Sequence, residues 1–206
     1  MSTATAKNAV FTRFFPVETY QAAIEVEGIA PLLMNHYCGE KPYQPRPRPQ
    51  DKTQAWLDSR KKKNWMDAAY HDGTQFYIPG YMVEAGISTG ATPFRKGKDV
   101  KKWLAVIEDT VPLFVPNGSG WKALEIPLEQ AWKNEKYRHL TGGRRGNARI
   151  DICRPIFDQW RLQFTVVFDK AKLEVDMVKN ALGNTVLGDW RARYGSLRLL
   201  KFEEVR

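Results

Sequence analysis

The sequence predicts an α+β fold in which an antiparallel sheet carries helices on one face. Two patterns predict it. Several short runs alternate apolar and polar residues, which is typical of strands with one buried face, and other runs repeat apolar residues at helical spacing. The chain has 206 residues, of which 43% are hydrophobic, enough to bury one substantial core. We therefore expect a single elaborated domain over residues 1–206.

The first third of the chain predicts a strand, a loop and a helix. Residues 20–30 alternate apolar and polar, which predicts a strand with one face in a core. Residues 36–50 contain four prolines and are predicted to be a loop, because proline lacks a backbone donor and disfavours helix. Asp51 is then the candidate N-cap of a helix that runs to about Tyr70.

The middle third predicts two helices. Helical spacing returns at residues 81–90 and again at residues 98–109. Gly86 and Gly90 weaken the first of these helices. Because they lack side chains, we expect them to allow close packing of that helix against the sheet.

Two further segments of the middle third are predicted as a hairpin and a loop. Residues 111–128 are Pro-rich and apolar and predict a local hairpin that turns at 117–120. Their apolar content exceeds what a lone hairpin normally leaves exposed, which favours assembly of copies through this segment. Residues 130–147 are predicted to be a long, polar, glycine-rich loop, and loops of that length are usually functional or disordered.

The last third predicts a hairpin, a helix and a strand. Residues 148–168 alternate on both sides of a turn at Arg154 and Pro155, which predicts a hairpin with one buried face. A helix is predicted at 174–186 and a closing strand at 195–205.

Taken in order, the core elements run strand, helix, strand, strand, helix, strand. This is the split βαβ arrangement, called ferredoxin-like or RRM-like, with an antiparallel sheet and helices on one face. The core is expected at about 20–34, 76–109 and 148–205, and large insertions at about 36–70 and 111–147. The sheet face without helices is then free to meet a ligand.

The positive charge of the chain is unevenly distributed. The net charge is +9, and residues 41–63, 95–102 and 133–149 each hold far more Lys and Arg than Asp and Glu. A solvated lysine face is the ordinary explanation of a basic protein. Charge concentrated in loops beside aromatic residues is instead the footprint of a phosphate-binding surface. The pattern favours RNA or single-stranded DNA as the partner.

Two segments carry the clearest nucleic-acid signal. Residues 133–149 combine cations, which can follow a phosphate backbone, with planar side chains on which bases stack. Residues 183–195 combine three glycines with a tryptophan and two arginines, and glycines let a main chain approach a phosphate closely. The alternatives are a solubilising loop for the first segment and a core position for Trp190. The candidate nucleic-acid-binding residues are Arg46, Arg48, Arg60, Lys61, Lys62, Lys63, Lys96, Lys98, Lys136, Tyr137, Arg138, Arg144, Arg145, Arg149, Trp190, Arg191 and Arg193.

The sequence predicts no cofactor, no metal site and no membrane span. No run approaches the roughly 18 apolar residues of a membrane-spanning helix, and the first residues lack an apolar secretory core, so we expect a cytoplasmic protein. Cys38 and Cys153 lack the paired spacing of a zinc site and are expected to be reduced thiols.

We expect no catalysis. None of the three histidines lies in a metal-ligand pair, and the glycine-rich run at 142–146 is not followed by the Lys-Ser/Thr of a nucleotide-binding loop. The alternative is a metal-independent RNA endonuclease, in which His139 acts as a general base on a 2′-hydroxyl beside Arg138 and Lys136.

Residues 188–195 read Gly-Asp-Trp-Arg-Ala-Arg-Tyr-Gly, immediately before the last predicted strand. This segment resembles the glycine-rich C-terminal loop of the RAMP superfamily, the repeat-associated proteins that form the RNA-binding backbone of CRISPR surveillance complexes. The resemblance implies a ferredoxin-like fold and side-by-side assembly along a strand, as a homo-oligomer or a subunit of a ribonucleoprotein complex. It also implies that residues 130–147 are a thumb-like loop over the nucleic acid. No repeat-cleaving His is identifiable, so the resemblance implies binding rather than cleavage.

A second resemblance leaves a different function open. Residues 29–35, 76–80 and 187–191 together resemble small phage and prophage proteins of similar length. The alternative is therefore a protein–protein module, such as a phage-encoded inhibitor that mimics a backbone subunit. The two functions predict opposite responses to salt, because phosphate binding weakens steeply as salt rises and an apolar interface does not.

Overall fold

The computed structural model describes residues 19–36, 53–145, 148–189 and 193–205, without the side chains of 144, 145 and 148–150. Short 3₁₀ helices lie at Thr92–Phe94 and Glu135–Tyr137. The α-helices in these residues are α1 (Gln54–Ala68), α2 (Gly80–Gly90), α3 (Gly97–Trp103), α4 (Leu128–Lys133) and α5 (Val175–Gly183). The strands are β1 (Thr19–Gly28), β2 (Leu32–Leu33), β3 (Tyr77–Pro79), β4 (Leu104–Val106), β5 (Thr110–Asn117), β6 (Gly120–Ala123), β7 (Arg138–Arg145), β8 (Ala148–Phe157), β9 (Arg161–Asp169) and β10 (Leu197–Glu204).

The larger sheet has the strand order β10-β1-β9-β5-β3, and all of these neighbours are antiparallel. Counted as strands one to four, β1, β5, β9 and β10 lie in the order four-one-three-two, with α2 between the first two and α5 between the last two. Ile24 of β1, Val83 of α2 and Val178 of α5 are buried in one core. This topology confirms the predicted α+β, ferredoxin-like fold.

β1 confirms the strand predicted at 20–30. Ala22, Ile24 and Val26 are at most 3% exposed, whereas the alternate residues Glu25 and Glu27 lie on the other face of the strand. The alternation in the sequence therefore marks the buried face of the sheet correctly.

The predicted hairpin of residues 148–168 is wrong, although both of its strands exist. β8 runs through Arg154 and Pro155 to Phe157 and pairs with β7 and β2 in a smaller sheet of order β2-β8-β7. β9 pairs instead with β1, β4 and β5. Side-chain alternation reports that one face of a strand is buried, but it does not identify the neighbouring strand.

The long loop predicted at 130–147 is wrong in its secondary structure, whereas the thumb-like role implied by the resemblance stays a prediction. The segment forms α4, a 3₁₀ turn and then β7, which makes a hairpin with β8. Gly142 and Gly143 lie inside β7, opposite Asp151 and Ile150. Glycine is depleted in strands, so composition favours a loop here. Antiparallel pairing along the whole length of β7 supplies the backbone hydrogen bonds that override this preference.

The helix predicted at 98–109 ends six residues early, at Trp103. Leu104 and Val106 belong to β4 and pair with Phe168 and Val166 of β9. A short apolar run fits helix and strand equally well by spacing. Here the segment is a strand because residues 104–106 pair with the edge of β9 at residues 166–168.

α1 and α2 differ from expectation in their contacts. Thr53 caps α1 by accepting a backbone N–H of the first turn at 3.2 Å, and Asp51, the predicted cap, lies outside the described residues. Gly86, like Gly90, does allow close packing of α2. The neighbour is α5 and the residues after it rather than the sheet, because a Cβ at Gly86 would lie 2.7 Å from Leu187 Cδ2.

The hairpin predicted within 111–128 is confirmed as β5 and β6. Its apolar side chains do not remain exposed, since Val111 and Leu113 are fully buried and Leu124 is 8% exposed. The apolar content of this segment therefore serves the core of the chain, and it gives no support to assembly of copies through the segment.

Among the described strands, β10 lies at one end of the strand order of the larger sheet, and it contains a bulge. Lys201 pairs with Glu25 of β1 and Leu199 pairs with Val26, so Leu200 is the additional residue between two successive partners. The Leu200 side chain is 41% exposed.

Candidate nucleic-acid interface

A second layer, formed by α1, α4 and the β2-β8-β7 sheet, brings together many of the predicted cations. α1 packs against β8 and α4. Trp65 of α1 is fully buried and donates its indole N–H to the carbonyl oxygen of Tyr137 at 2.7 Å. This bond fixes α1 to the root of the β7–β8 hairpin.

The basic residues 60–63 of α1 lie close to carboxylates. Lys61 Nζ lies 3.7 Å from Asp58 in the same helix and 3.5 Å from Asp151 of β8. Lys62 Nζ lies 2.6 Å from the carboxylate of Glu129. These ion pairs connect α1 to the hairpin on one side and to α4 on the other.

The other two predicted cations of α1 also have partners. Lys63 lies 3.4 Å from Asp67, and Arg60 Cζ lies 5.1 Å from the centre of the Trp56 ring. Exposed ion pairs of this kind are worth about 0–1 kcal/mol each. A phosphate group can therefore displace these carboxylates at small cost.

Tyr137 lies at the root of the hairpin as a core side chain. It is 7% exposed, its ring centre is 5.4 Å from that of Phe157, and Lys136 Nζ lies 4.7 Å from the ring centre. The Tyr137 ring, predicted to contact nucleic acid, is therefore part of the core.

Arg138 follows Tyr137 and begins β7. Its guanidinium contacts the carboxylate of Glu135 at 2.9 Å and lies over the ring of Trp132, with Cζ 4.9 Å from the ring centre. Arg138 Nε is buried and has no hydrogen-bond partner among the described residues.

The other face of the hairpin root contacts the segment 188–195. His139 of β7 lies opposite Arg154 of β8. His139 Nε2 is 3.0 Å from the hydroxyl of Tyr194, and Arg154 pairs with the carboxylate of Asp189. Burial lowers the pKa of the His139 imidazole, and the guanidinium groups of Arg154 and Arg193 lower it further. The imidazole therefore lies in a region of positive potential.

Segment 188–195 packs against β2 and the residue before it. The backbone N–H of Asp189 donates to Leu33 of β2 at 2.9 Å, and that of Gly195 donates to Pro31 at 2.8 Å. Gly188 and Gly195 both have φ of +77°, a left-handed conformation that favours glycine. The close backbone approach predicted toward a phosphate is thus an approach to β2.

Lys96 and Lys98 are not part of this second layer. Lys96 pairs with Asp99 at 3.0 Å, and both lysines lie at the start of α3, which packs against α2 and β4. Leu104, which follows α3, pairs with Phe168 at the end of β9. β8 leads into the opposite end of β9, about 24 Å away at the usual rise of a strand.

Several predicted residues lie outside what the structure describes. The backbones of Arg144 and Arg149 lie opposite each other near the hairpin tip, and their side chains are outside the described part. The residues or side chains concerned are Arg46, Arg48, Trp190 and Arg191, together with the side chains of Arg144, Arg145 and Arg149.

Arg154, Asp189 and Tyr194 contact or surround His139 but are not among the residues predicted from the sequence to be functional. Proline is common in turns, so the sequence predicts a turn at Arg154 and Pro155. In the structure both residues lie inside β8. The available signal is the length of the strand-like run from 148 to 157, which would have placed Arg154 on the same strand face as Ile152.

The open face of the larger sheet carries charges that are already paired. Arg161 lies 3.2 Å from Glu25 and 3.4 Å from Glu27 and stacks over Trp121 at 4.2 Å. Arg198 Nε donates to Glu27 at 2.9 Å, and this bond lowers the pKa of the Glu27 carboxyl. The sheet face that we expected to meet a ligand therefore offers little net charge to a phosphate.

Neither a metal centre nor a membrane span was found in the described ranges. No group of three or more His, Cys, Asp or Glu side chains there is arranged to hold a metal ion, and no helix there is long and apolar enough to cross a bilayer. Cys153 is a free, buried thiol whose pKa is raised by burial. Cys38 lies outside the described residues.

Comparison with solved structures gives distant structural likenesses. No protein-family model matches the sequence, and no curated protein matches it. A chain of a Type III-B Cmr-beta complex bound to cognate target RNA superimposes with a TM-score of 0.49 and 10% sequence identity. The alignment covers 100% of this chain and 68% of that chain. The ferredoxin-like fold implied by the RAMP resemblance is confirmed by the strand order, and membership of that superfamily stays a prediction.

Proposed function

We propose that this protein binds single-stranded RNA or DNA without cleaving it, along α1, the β7–β8 hairpin and residues 193–195. One observation carries the proposal: cations far apart in the sequence lie on the two faces of one hairpin outside the larger sheet. Lys61 of α1 reaches Asp151 of β8, while Arg154 of β8 and Arg193 both lower the pKa of His139 in β7.

The chemistry of this layer suits a phosphate backbone. Binding to nucleic acid is dominated by cations that neutralise phosphates and release counterions. β7 and β8 pair over eight residues each, so the hairpin is about 24 Å long at the usual rise per residue. A hairpin of that length can contact several successive phosphates of a strand. Arg144, Arg145 and Arg149 lie near the tip of the hairpin. Arginine suits phosphate because its planar fork binds two oxygens at once.

The test is fluorescence anisotropy with labelled single strands of RNA and DNA at low and at physiological salt. Wild-type affinity should fall steeply as salt rises. The double variant Arg144→Glu/Arg145→Glu should weaken binding to every sequence about equally, because phosphate contacts carry no sequence information.

The matched control makes the same change of charge at the far end of β9. Lys170 and Lys172 are exposed in the turn after that strand, and Lys170→Glu/Lys172→Glu should reduce affinity far less than the hairpin variant. Equal losses in the two variants would indicate a response to net charge alone. Undetectable affinity for both strands at low salt would contradict nucleic-acid binding, and tight, salt-insensitive capture of a protein would favour the protein–protein module.

A second candidate, metal-independent RNA cleavage, is favoured by the surroundings of His139. Its Nε2 lies 3.0 Å from the Tyr194 hydroxyl, and its lowered pKa keeps the imidazole neutral near pH 7, as a general base requires. Incubation of labelled RNA with the wild type and with His139→Ala tests it. Cleavage lost in the variant supports this candidate, whereas intact RNA with the wild type, or equal cleavage by both proteins, rules it out.

A further inference from the structure

A cavity of about 630 Å³ lies beside the hairpin root, between α1, α4, the second 3₁₀ helix and one face of the β7–β8 hairpin. Cavities of this size hold small organic ligands. Asp58 and Lys61 of α1 form one wall, and Trp132 and Glu135 form another. The cavity therefore adjoins the surface proposed to bind the strand.

The charges of the cavity wall cancel within it. Lys61 pairs with Asp58 at 3.7 Å, and Arg138 pairs with Glu135 at 2.9 Å. Because each cation of the wall has a carboxylate beside it, the wall carries no net charge and does not favour a phosphate over a neutral ring. A neutral ring with both donors and acceptors can instead bond to either member of each pair.

The cavity also offers flat surfaces. The Trp132 ring and the Arg138 guanidinium lie against each other, with 4.9 Å between Cζ and the ring centre, and both are planar groups on which bases stack. Leu140, 57% exposed, and the buried Cys153 supply apolar surface. The guanidinium as a whole keeps part of its surface exposed, since the side chain of Arg138 is 27% accessible.

We propose that this cavity holds one unstacked nucleobase of the bound strand, an inference that rests on the proposed function. The base stacks against the Trp132–Arg138 pair, with Leu140 beside it. Its polar edge meets the Lys61 and Glu135 side chains. The neutral wall excludes phosphates, which stay on the cations outside the cavity.

The first experiment removes the bases and keeps the phosphates. An oligonucleotide made wholly of abasic units is compared with a base-bearing strand of the same length in the anisotropy assay. Stacking of one base is worth about 1–3 kcal/mol, so the abasic strand should bind about five- to 150-fold more weakly. Equal affinity of the two strands would overturn the base pocket and leave phosphate binding intact.

The second experiment observes the cavity itself. The seven tryptophans are labelled as 5-fluorotryptophan, and the ¹⁹F resonance of Trp132 is assigned by its loss in Trp132→Phe. Adenosine, guanosine, cytidine and uridine are added in turn, and at least one should shift the Trp132 resonance. Leu140→Ser should weaken that response, whereas Leu200→Ser, an equally small change at an exposed leucine of β10, should not.

The two failures can be told apart. If the nucleosides shift Trp132 but no strand binds at low salt, the cavity binds bases and the proposed function fails. If strands bind with steep salt dependence but no nucleoside shifts Trp132 at millimolar concentration, the proposed function stands and the base pocket is wrong.

Discussion

His139 has an environment that the fold creates from distant parts of the chain. Its ring contacts Tyr194, 55 residues away in sequence, and it lies opposite Arg154, which pairs with Asp189. No local pattern encodes these contacts, because each depends on how segment 188–195 packs on β2. This is why the sequence selects His139 as a candidate base and misses Arg154 and Tyr194 beside it.

The lowered pKa of His139 makes stability depend on pH. The folded protein binds fewer protons at this site than the unfolded chain, so its contribution is complete above the unfolded pKa of about 6.5 and is lost as pH falls through the folded pKa. We expect the urea midpoint to drop more between about pH 7.5 and pH 5.5 in the wild type than in His139→Gln.

The direct measurement is an NMR titration of the imidazole. In Arg154→Met the pKa of His139 should rise toward its ordinary value, because one of the two guanidinium groups is gone. Equal pH dependence of the wild type and His139→Gln would show that this site does not contribute.

At the scale of elements, a buried hydrogen bond joins α1 to the hairpin root. Trp65→Phe keeps a buried ring but removes the donor to the carbonyl oxygen of Tyr137. An unsatisfied buried carbonyl costs about 1–3 kcal/mol, so urea denaturation should show a loss of that size. Amide exchange in β7 and β8 should also become faster. Trp121→Phe, at a half-exposed ring, is the matched control, and equal losses in both variants would contradict the role of this bond.

Elements with a strong local pattern are predictable, whereas their partners are not. β1, α2 and α5 follow from side-chain periodicity, because each buries one face. β8 and β9 are both strand-like, but they join different sheets, since the place beside β9 is taken by β4 and β5. β7 cannot be predicted from its own residues, because glycines and arginines do not favour a strand. Its strand conformation depends on pairing with β8.

At the scale of the whole molecule, the ferredoxin-like core and the cations of the proposed interface lie in two different layers. The ferredoxin-like sheet supplies the core, and the cations on its open face pair with carboxylates of the same face. The second layer, inserted around this core, holds the hairpin and the basic helix. The likeness to RRM-type folds thus describes the scaffold, and the proposed interface lies on the insertions.

Side-by-side assembly, which the RAMP resemblance implies, is a proposal about the whole molecule. We expect the protein to remain small without a ligand and to form complexes whose mass increases with strand length. Size-exclusion chromatography with light scattering, on single strands of increasing length, measures this directly. One copy per strand at every length would contradict side-by-side assembly while leaving binding itself in place.

The bulge at Leu200 has a consequence for how copies can meet. An outer strand with regular spacing is a template onto which another chain adds by hydrogen bonding, and such addition leads to fibres. The extra residue in β10 shifts the backbone hydrogen-bonding groups of one half of the strand relative to the other half. The charged side chains of Lys201 and Glu203 beside it are exposed. Open-ended growth of sheets through this edge is therefore disfavoured, even where many copies lie close together.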